Sequence, residues 1–148
     1  MMKRKAIVCD IDGVLLDSSH LMQEAEYFEL YGDLKWDYFY NHCNDVEVIT
    51  ESKAFILKCA ETFDILLSTA RNEKCKETTL NKLQKEGLFF LSCDIYMRKQ
   101  DDLRPASEVK REHLIEIMKE FDVIAFIDDD LDNCEMAKEL GILSLRKV

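Results

Sequence analysis

Continuous apolar runs, without polar alternation, recur along the chain. They are Lys5-Ala6-Ile7-Val8-Cys9-Asp10, Asp64-Ile65-Leu66-Leu67-Ser68-Thr69, residues 93–97, Asp122-Val123-Ile124-Ala125-Phe126-Ile127-Asp128 and residues 142–145. Strands covered on both faces read this way. Between them, apolar positions return at helical spacing: Phe55, Ile56, Cys59, Ala60 and Phe63 form one stripe, and Leu114, Ile117, Met118 and Phe121 another. Cys134, Ala137 and Leu140 line a helix stopped by Gly141, and Gly87 follows the helix that carries Leu80 and Leu83. Alternation of strands and helices implies right-handed βαβ units and an open parallel sheet. The expected fold is one doubly wound α/β domain over residues 1–148.

One interval is too long for a single crossover. More than fifty residues separate Asp10 from Ile65, about twenty more than a loop and one helix need. Within it Trp36, Phe39, Tyr40 and Cys43 fall at i, i+3, i+4 and i+7, a helical stripe. The spacing predicts a small helical insert at about 18–50, above the carboxyl edge of the sheet, where it can cover a site. Its aromatic stripe reads as packing rather than as a base-stacking platform.

Composition narrows the function. The 148 residues are 47% hydrophobic and carry thirty acids against twenty bases, a net charge of -10. That balance argues against coating nucleic acid or an anionic membrane. No apolar stretch approaches the roughly 20 residues that span a bilayer, and the start does not read as a signal peptide, so a cytoplasmic location is expected. Six cysteines (Cys9, Cys43, Cys59, Cys75, Cys93, Cys134) form no C-x-x-C pair, and only His20, His42 and His113 accompany them. Reduced, mostly buried thiols are expected, not a zinc site. Arg98, Lys99, Arg104, Lys110 and Arg111 concentrate five of the twenty bases in fourteen positions, which suggests a local attraction for phosphate.

Ligands of open α/β sheets bind outside the carboxyl ends of the strands, and here those ends are unusual. The first is Asp10-Ile11-Asp12-Gly13-Val14, the second Ser68-Thr69-Ala70-Arg71 and the fourth Asp128-Asp129-Asp130-Leu131-Asp132. Carboxylates gathered at one edge repel, and burying them unpaired costs several kcal/mol each. A hard divalent cation removes that problem. Mg²⁺ suits it, since it takes one or two carboxylates and keeps water and phosphate oxygens as its other ligands. Asp10 and Asp128 are the expected ligands. Two aspartates one residue apart can then divide phosphoryl transfer, one attacking phosphorus and the other moving the proton. Thr69 offers a hydroxyl and Lys110 a cation to the phosphoryl group. Asp130 and Asp132 are expected to do no more than cap a helix, and Asp17 to sit in a turn.

Asp10-x-Asp12-Gly13-Val14, then Thr69, Lys110 and Asp128-Asp129, resembles the four ordered motifs of the haloacid dehalogenase (HAD) superfamily of phosphohydrolases. The resemblance implies Asp10 as nucleophile, Asp12 as general acid/base, and Thr69 and Lys110 as phosphoryl-binding groups. It also implies a Mg²⁺ site of Asp10, Asp128 and the Asp12 main-chain carbonyl, with Asp129 just behind. Arg71, together with Met97-Arg98-x-Gln100-x-Asp102-x-Arg104 and Val109-Lys110, is similar to the 3′-phosphatase domain of phage-type polynucleotide kinase-phosphatases. That similarity implies Arg71 and Arg98 as substrate-holding residues. This chain differs from that group in Ala106, where an acid is usual, in having no arginine between Arg4 and Arg71, and in lacking a Gly-rich phosphate loop. The implied substrate is phosphorylated, either a nucleic-acid end or a nucleotide or other small phosphate. A receiver-type signalling module is the competing class, but Met97-Arg98 stands where it would need its phosphorylatable aspartate.

Overall fold

The computed structural model describes residues 2–88 and 95–148. Five parallel strands form one sheet: β1 (Arg4–Cys9), β2 (Asp64–Asn72), β3 (Ile95–Arg98), β4 (Phe121–Asp128) and β5 (Ser144–Arg146), in the order β3-β2-β1-β4-β5. Helices α1 (Leu21–Tyr27), α2 (Asp33–His42) and α3 (Thr50–Cys59) lie between β1 and β2, and α4 (Lys76–Lys85) follows β2. Helix α5 (Ala106–Met118) precedes β4, and α6 (Leu131–Glu139) precedes β5.

The lack of alternation in the strands follows from two cores. On one face Ile7, Cys9, Ile65, Leu67 and Ile127 pack with Leu15, Phe39, Cys43, Ile56 and Leu83. On the other, Ala6, Val8, Leu66 and Phe126 pack with Leu114, Ile117, Met136 and Ala137. Successive side chains of a strand point to opposite faces, so a strand buried on both must be apolar at every position. The α/β fold expected from the sequence is the one observed.

β1 is central and pairs with β2 on one side and β4 on the other. The strand order reverses there, and the crevice at such a reversal is where open sheets bind ligands. Receivers share the flavodoxin-like order 2-1-3-4-5, whereas this sheet runs 3-2-1-4-5. The topology therefore removes the receiver alternative.

Several boundaries differ from expectation. β2 continues three residues past Thr69 to Asn72, so Thr69 and Arg71 are strand residues. The expected strand over 93–97 begins outside the described residues, and its described part is Ile95–Arg98. Ile142 is core, but it precedes β5 instead of opening it. Phe121 starts β4 and does not end α5. Phe55 is exposed because the stripe of α3 centres on buried Ile56.

The segment over 18–50 forms α1 and α2. Its two ends are drawn together where Asp17 N–H donates to the Glu47 carbonyl (2.9 Å) and Ile49 N–H to the Leu15 carbonyl (2.8 Å). The aromatic stripe of α2 divides: Phe39 and Cys43 enter the core, while Trp36 stays half exposed beside Tyr40. Cys9, Cys43, Cys59, Cys75 and Cys134 are free thiols, and Cys93 lies outside the described residues. Among the described residues no helix is long and apolar enough to cross a membrane.

His113, on the sheet-facing side of α5, bridges Ser68 (2.8 Å at Nδ1) and the Met97 carbonyl (3.1 Å at Nε2). A carbonyl can only accept, so Nε2 carries the proton and Nδ1 accepts from the Ser68 hydroxyl. Burial lowers its pKa from 6.5 to about 4. The unfolded chain therefore binds the extra proton first, and stability falls as pH drops from 6.5 toward 4. Between about pH 7 and about pH 5 this residue should remove about 1–2 kcal/mol. Denaturant melts of the wild type and His113→Gln at both pH values should show a smaller acid loss in the variant; equal losses would refute the buried neutral imidazole.

Candidate active site

The site begins with strand register. Cys9 pairs with Ile127, and Asp10 N–H donates to the Ile127 carbonyl (2.9 Å). The next residue on each strand is thus an aspartate, and Asp10 and Asp128 emerge side by side, both buried. Lys110 reaches them from the second turn of α5, whose orientation Val109, Leu114 and Ile117 fix by burial. Its Nζ lies 2.9 Å from Asp10 Oδ1 and 2.6 Å from Asp128 Oδ2.

Burial raises the Asp10 pKa well above its ordinary value, opposed by the Lys110 charge and reinforced by Asp128 and Asp12. Burial would lower Lys110, but the two carboxylates more than offset it and its pKa is raised. Asp128 also accepts from Asp130 N–H (3.0 Å at Oδ1) and Asn133 Nδ2 (3.2 Å at Oδ2). Half-buried Asp129 completes the group: carboxylate oxygens of Asp10, Asp128 and Asp129 all lie within 4.8 Å of one another. Burial, then the Asp128 charge, raises the Asp129 pKa. Three carboxylates face one ammonium. The uncompensated negative charge and all-oxygen donor set fit a hard divalent cation.

The turn after β1 positions Asp12. The Ile11 carbonyl accepts from Leu15 N–H (2.9 Å) and Leu16 N–H (3.0 Å), and Gly13 N–H donates to Leu16 (2.8 Å). Gly13 has φ +81°, and a Cβ there would overlap the Asp129 carboxylate. This loop thus needs glycine both for its left-handed backbone and to let Asp129 approach.

Thr69 is fully buried on β2, its Oγ1 accepting from Arg71 N–H (3.1 Å). From sequence, Arg71 is expected to hold substrate. In the structure its guanidinium is buried and turned to protein acceptors. Nε donates to Asp12 Oδ2 (2.9 Å) and Nη2 to Asp12 Oδ1 (2.7 Å). Nη2 also reaches the Cys43 carbonyl (3.0 Å), and Nη1 reaches Asn44 Oδ1 (2.7 Å) and Thr79 Oγ1 (3.1 Å). Burial acts to lower the Arg71 pKa, but Asp12 outweighs it and the pKa is raised. Ser18 Oγ donates to Asp12 Oδ1 as well.

Asp12 opens onto a cleft of about 950 Å³ whose walls include Trp36, Tyr40, Lys74, Arg98 and Arg104. Arg98 braces the rim, its Nε on the Ala70 carbonyl (3.0 Å) and Nη1 on the carbonyls of Asp102 (3.0 Å) and Arg104 (2.6 Å). The basic cluster expected over 98–111 is largely neutralised: Arg104 pairs with Asp102 and Glu112, Lys99 faces Glu73, and Lys110 is buried. Asp130 caps α6 by accepting from Asn133 N–H (3.1 Å). A second hollow, about 540 Å³, lies between β3 and α5, lined by residues such as Tyr96 and His113.

The structure therefore brings Asp10, Asp128, Asp129 and Lys110 into one group and places Asp12 with Arg71 beside it. Ser18, Asn44, Thr79 and Asn133 join the site without having been expected. Asn133 alone had a local signal, an amide three residues into the helix after the Asp128 run; the others come from segments whose approach no spacing announces.

A family model for the HAD superfamily, subfamily IIIB (Acid phosphatase), matches residues 2–143. No curated protein sequence matches the chain. Among solved structures, the chain is similar to part of the Pnkp1/Rnl/Hen1 RNA repair complex (TM-score 0.74, 20% identity, covering 98% of this chain and 42% of that one). It is similar to the class C acid phosphatase from Bacillus anthracis with tungstate bound (0.65, 21%, 90% and 54%). It is also similar to a HAD family enzyme from Bacteroides thetaiotaomicron in complex with magnesium and inorganic phosphate (0.58, 17%, 98% and 94%). The chain thus spans less than half of the first of these and about half of the second.

Gly141 provides a control for Gly13, because it too has a left-handed φ (+79°) but open space around it. Gly141→Ala should cost about 1 kcal/mol from backbone strain alone, and Gly13→Ala about 2 kcal/mol or more because Asp129 must also move. If the group of Asp10, Asp128 and Asp129 takes a divalent cation, adding Mg²⁺ should raise the melting temperature less in Gly13→Ala than in Gly141→Ala. Equal stabilities and equal shifts would mean that the Asp129 contact is not what demands glycine.

Proposed function

The chain belongs to the HAD superfamily, subfamily IIIB (Acid phosphatase), and from that premise we propose that it is a Mg²⁺-dependent phosphomonoesterase acting through an aspartyl-phosphate on Asp10. The observation that carries this reading is the buried group of Asp10, Asp128 and Lys110 at the reversal of strand order. Asp10 and Asp128, with the Asp12 main-chain carbonyl and Asp129 behind, are the groups that would hold Mg²⁺. When bound, the ion offsets negative charge on the phosphoryl oxygens and lets them approach a carboxylate.

The chain's own residues supply the rest. An Asp10 carboxylate oxygen attacks phosphorus, the P–O bond to the leaving group breaks, and its electron pair goes to the leaving oxygen. Asp12 gives that oxygen a proton. Water then attacks the aspartyl-phosphate, passing its proton to Asp12, and the P–O bond to Asp10 breaks to release phosphate. Lys110 keeps a fixed positive charge beside the nucleophile throughout, and the Thr69 hydroxyl can donate to a phosphoryl oxygen.

For the substrate, we favour the 3′-phosphate of a polynucleotide end. The wide cleft, the half-exposed Trp36 beside Tyr40, and the cationic Lys74 on its walls support this. So does the likeness to a structure from an RNA repair complex. A mononucleotide is the second reading, favoured by Asp33 and Asp37, which bring negative charge to the same cleft wall as Trp36.

Asp10→Asn should reduce turnover of any phosphomonoester by about 10³-fold or more, and acid-quenched enzyme should carry phosphate at Asp10 only in the wild type. Chelation should abolish activity and Mg²⁺ restore it. Trp36→Ala should raise KM for a 3′-phosphorylated oligonucleotide by about tenfold while leaving 4-nitrophenyl phosphate nearly unaffected. Full activity in Asp10→Asn would end the proposal; an oligonucleotide KM unmoved by Trp36→Ala would favour the mononucleotide.

A further inference from the structure

We infer that Arg71 is a positioning residue for Asp12, not a substrate ligand, and that it couples Asp12 to the helical insert. The inference rests on the reading of Asp12 as the proton-transfer group. A guanidinium has five N–H donors, and the contacts of Arg71 to Asp12, Cys43, Asn44 and Thr79 engage all three of its nitrogens. The side chain is buried. No N–H remains to meet a phosphate unless one of these bonds breaks.

The grip on Asp12 is side-on and bidentate, a geometry that fixes the plane of a carboxylate as well as its place. It also distinguishes the two oxygens. Oδ1 accepts from Nη2, from Nε at 3.2 Å and from Ser18, whereas among the described residues Oδ2 accepts only from Nε. Oδ2 is the oxygen with capacity left to carry a proton toward a leaving group in the cleft.

Both the Cys43 carbonyl and the Asn44 side chain lie just past the end of α2. A second tie joins the same elements, Asn72 N–H donating to Tyr40 Oη (3.0 Å). The wall of α2 that carries Trp36 and Tyr40 is therefore bonded to the end of β2 on both sides of Asp12's clamp. A displacement of the insert loosens Arg71 before it touches Asp10, Asp128 or Lys110.

Leaving-group chemistry tests this. An alkoxide needs a proton as it departs, and a nitrophenolate hardly does, so loss of an oriented acid falls on alkyl esters. The readout is kcat/KM for a nucleoside monophosphate and for 4-nitrophenyl phosphate in Asp12→Asn, Arg71→Lys, Asn44→Ala and Thr79→Val. Asp12→Asn and Arg71→Lys should each lose about 100-fold on the alkyl ester and about tenfold or less on the aryl ester. Asn44→Ala should show the same bias at about fivefold.

Equal losses on both esters in Arg71→Lys, with KM raised, would identify a phosphate contact and overturn the inference. An unbiased Asn44→Ala would overturn the coupling to the insert. If Arg71→Lys does not fold, the bias in Asn44→Ala and Thr79→Val decides the matter in its place. A flat profile in Asp12→Asn itself would instead refute Asp12 as the acid, and the inference would fall with it.

Discussion

The Lys110 ammonium lies within 3 Å of Asp10 and Asp128 with all three side chains almost out of reach of water. Each ion placed there alone would cost several kcal/mol, and removing one member of such a group typically costs 3–5 kcal/mol because it strands the rest. The arrangement is tolerable only while strand register, helix placement and charge agree. Register brings the two aspartates together, the apolar stripe of α5 aims the lysine, and Asn133 and the Asp130 amide take up the remaining lone pairs of Asp128. Among the described residues, Asp129 then adds a third carboxylate without a second ammonium. That imbalance of charge suits the group to a hard divalent cation.

Two aspartates one residue apart meet different surroundings. Asp10 is buried beside Lys110, with its backbone committed to β4. Asp12 stands at the margin of the cleft, gripped from behind by Arg71 and Ser18. On the proposed mechanism, the dry, fixed setting of Asp10 suits a nucleophile, and the cleft-facing setting of Asp12 suits a group that meets the departing oxygen and later water. The chain leaves the sheet after Asp10 and enters the turn around Gly13 at Asp12, so the two environments lie two residues apart.

The cleft is less basic than the run of arginines and lysines suggests. Asp102, Glu112 and Glu73 answer Arg104 and Lys99, and Arg98 is occupied with carbonyls of its own rim. The family relationship and the site agree on phosphatase chemistry. What the cleft adds is an aromatic wall from α2 whose Trp36 is 50% exposed.

The order of residues alone dictated the parallel sheet and the positions of its acidic strand ends. Both are local: a strand buried on two faces must be apolar throughout, and polar residues at its end have nowhere to go but the edge. It also marked Asp130 as a helix cap and the interval over 18–50 as surplus to a single crossover. It could not determine what Arg71 holds, because Asp12, Asn44 and Thr79 meet it only once the insert, β2 and α4 have packed. Nor could it reveal that α2 splits its aromatic stripe between core and cleft, or that Lys99, Arg104 and Lys110 of the basic segment face carboxylates. Those outcomes depend on distances between residues far apart in the chain, and only the folded structure decided them.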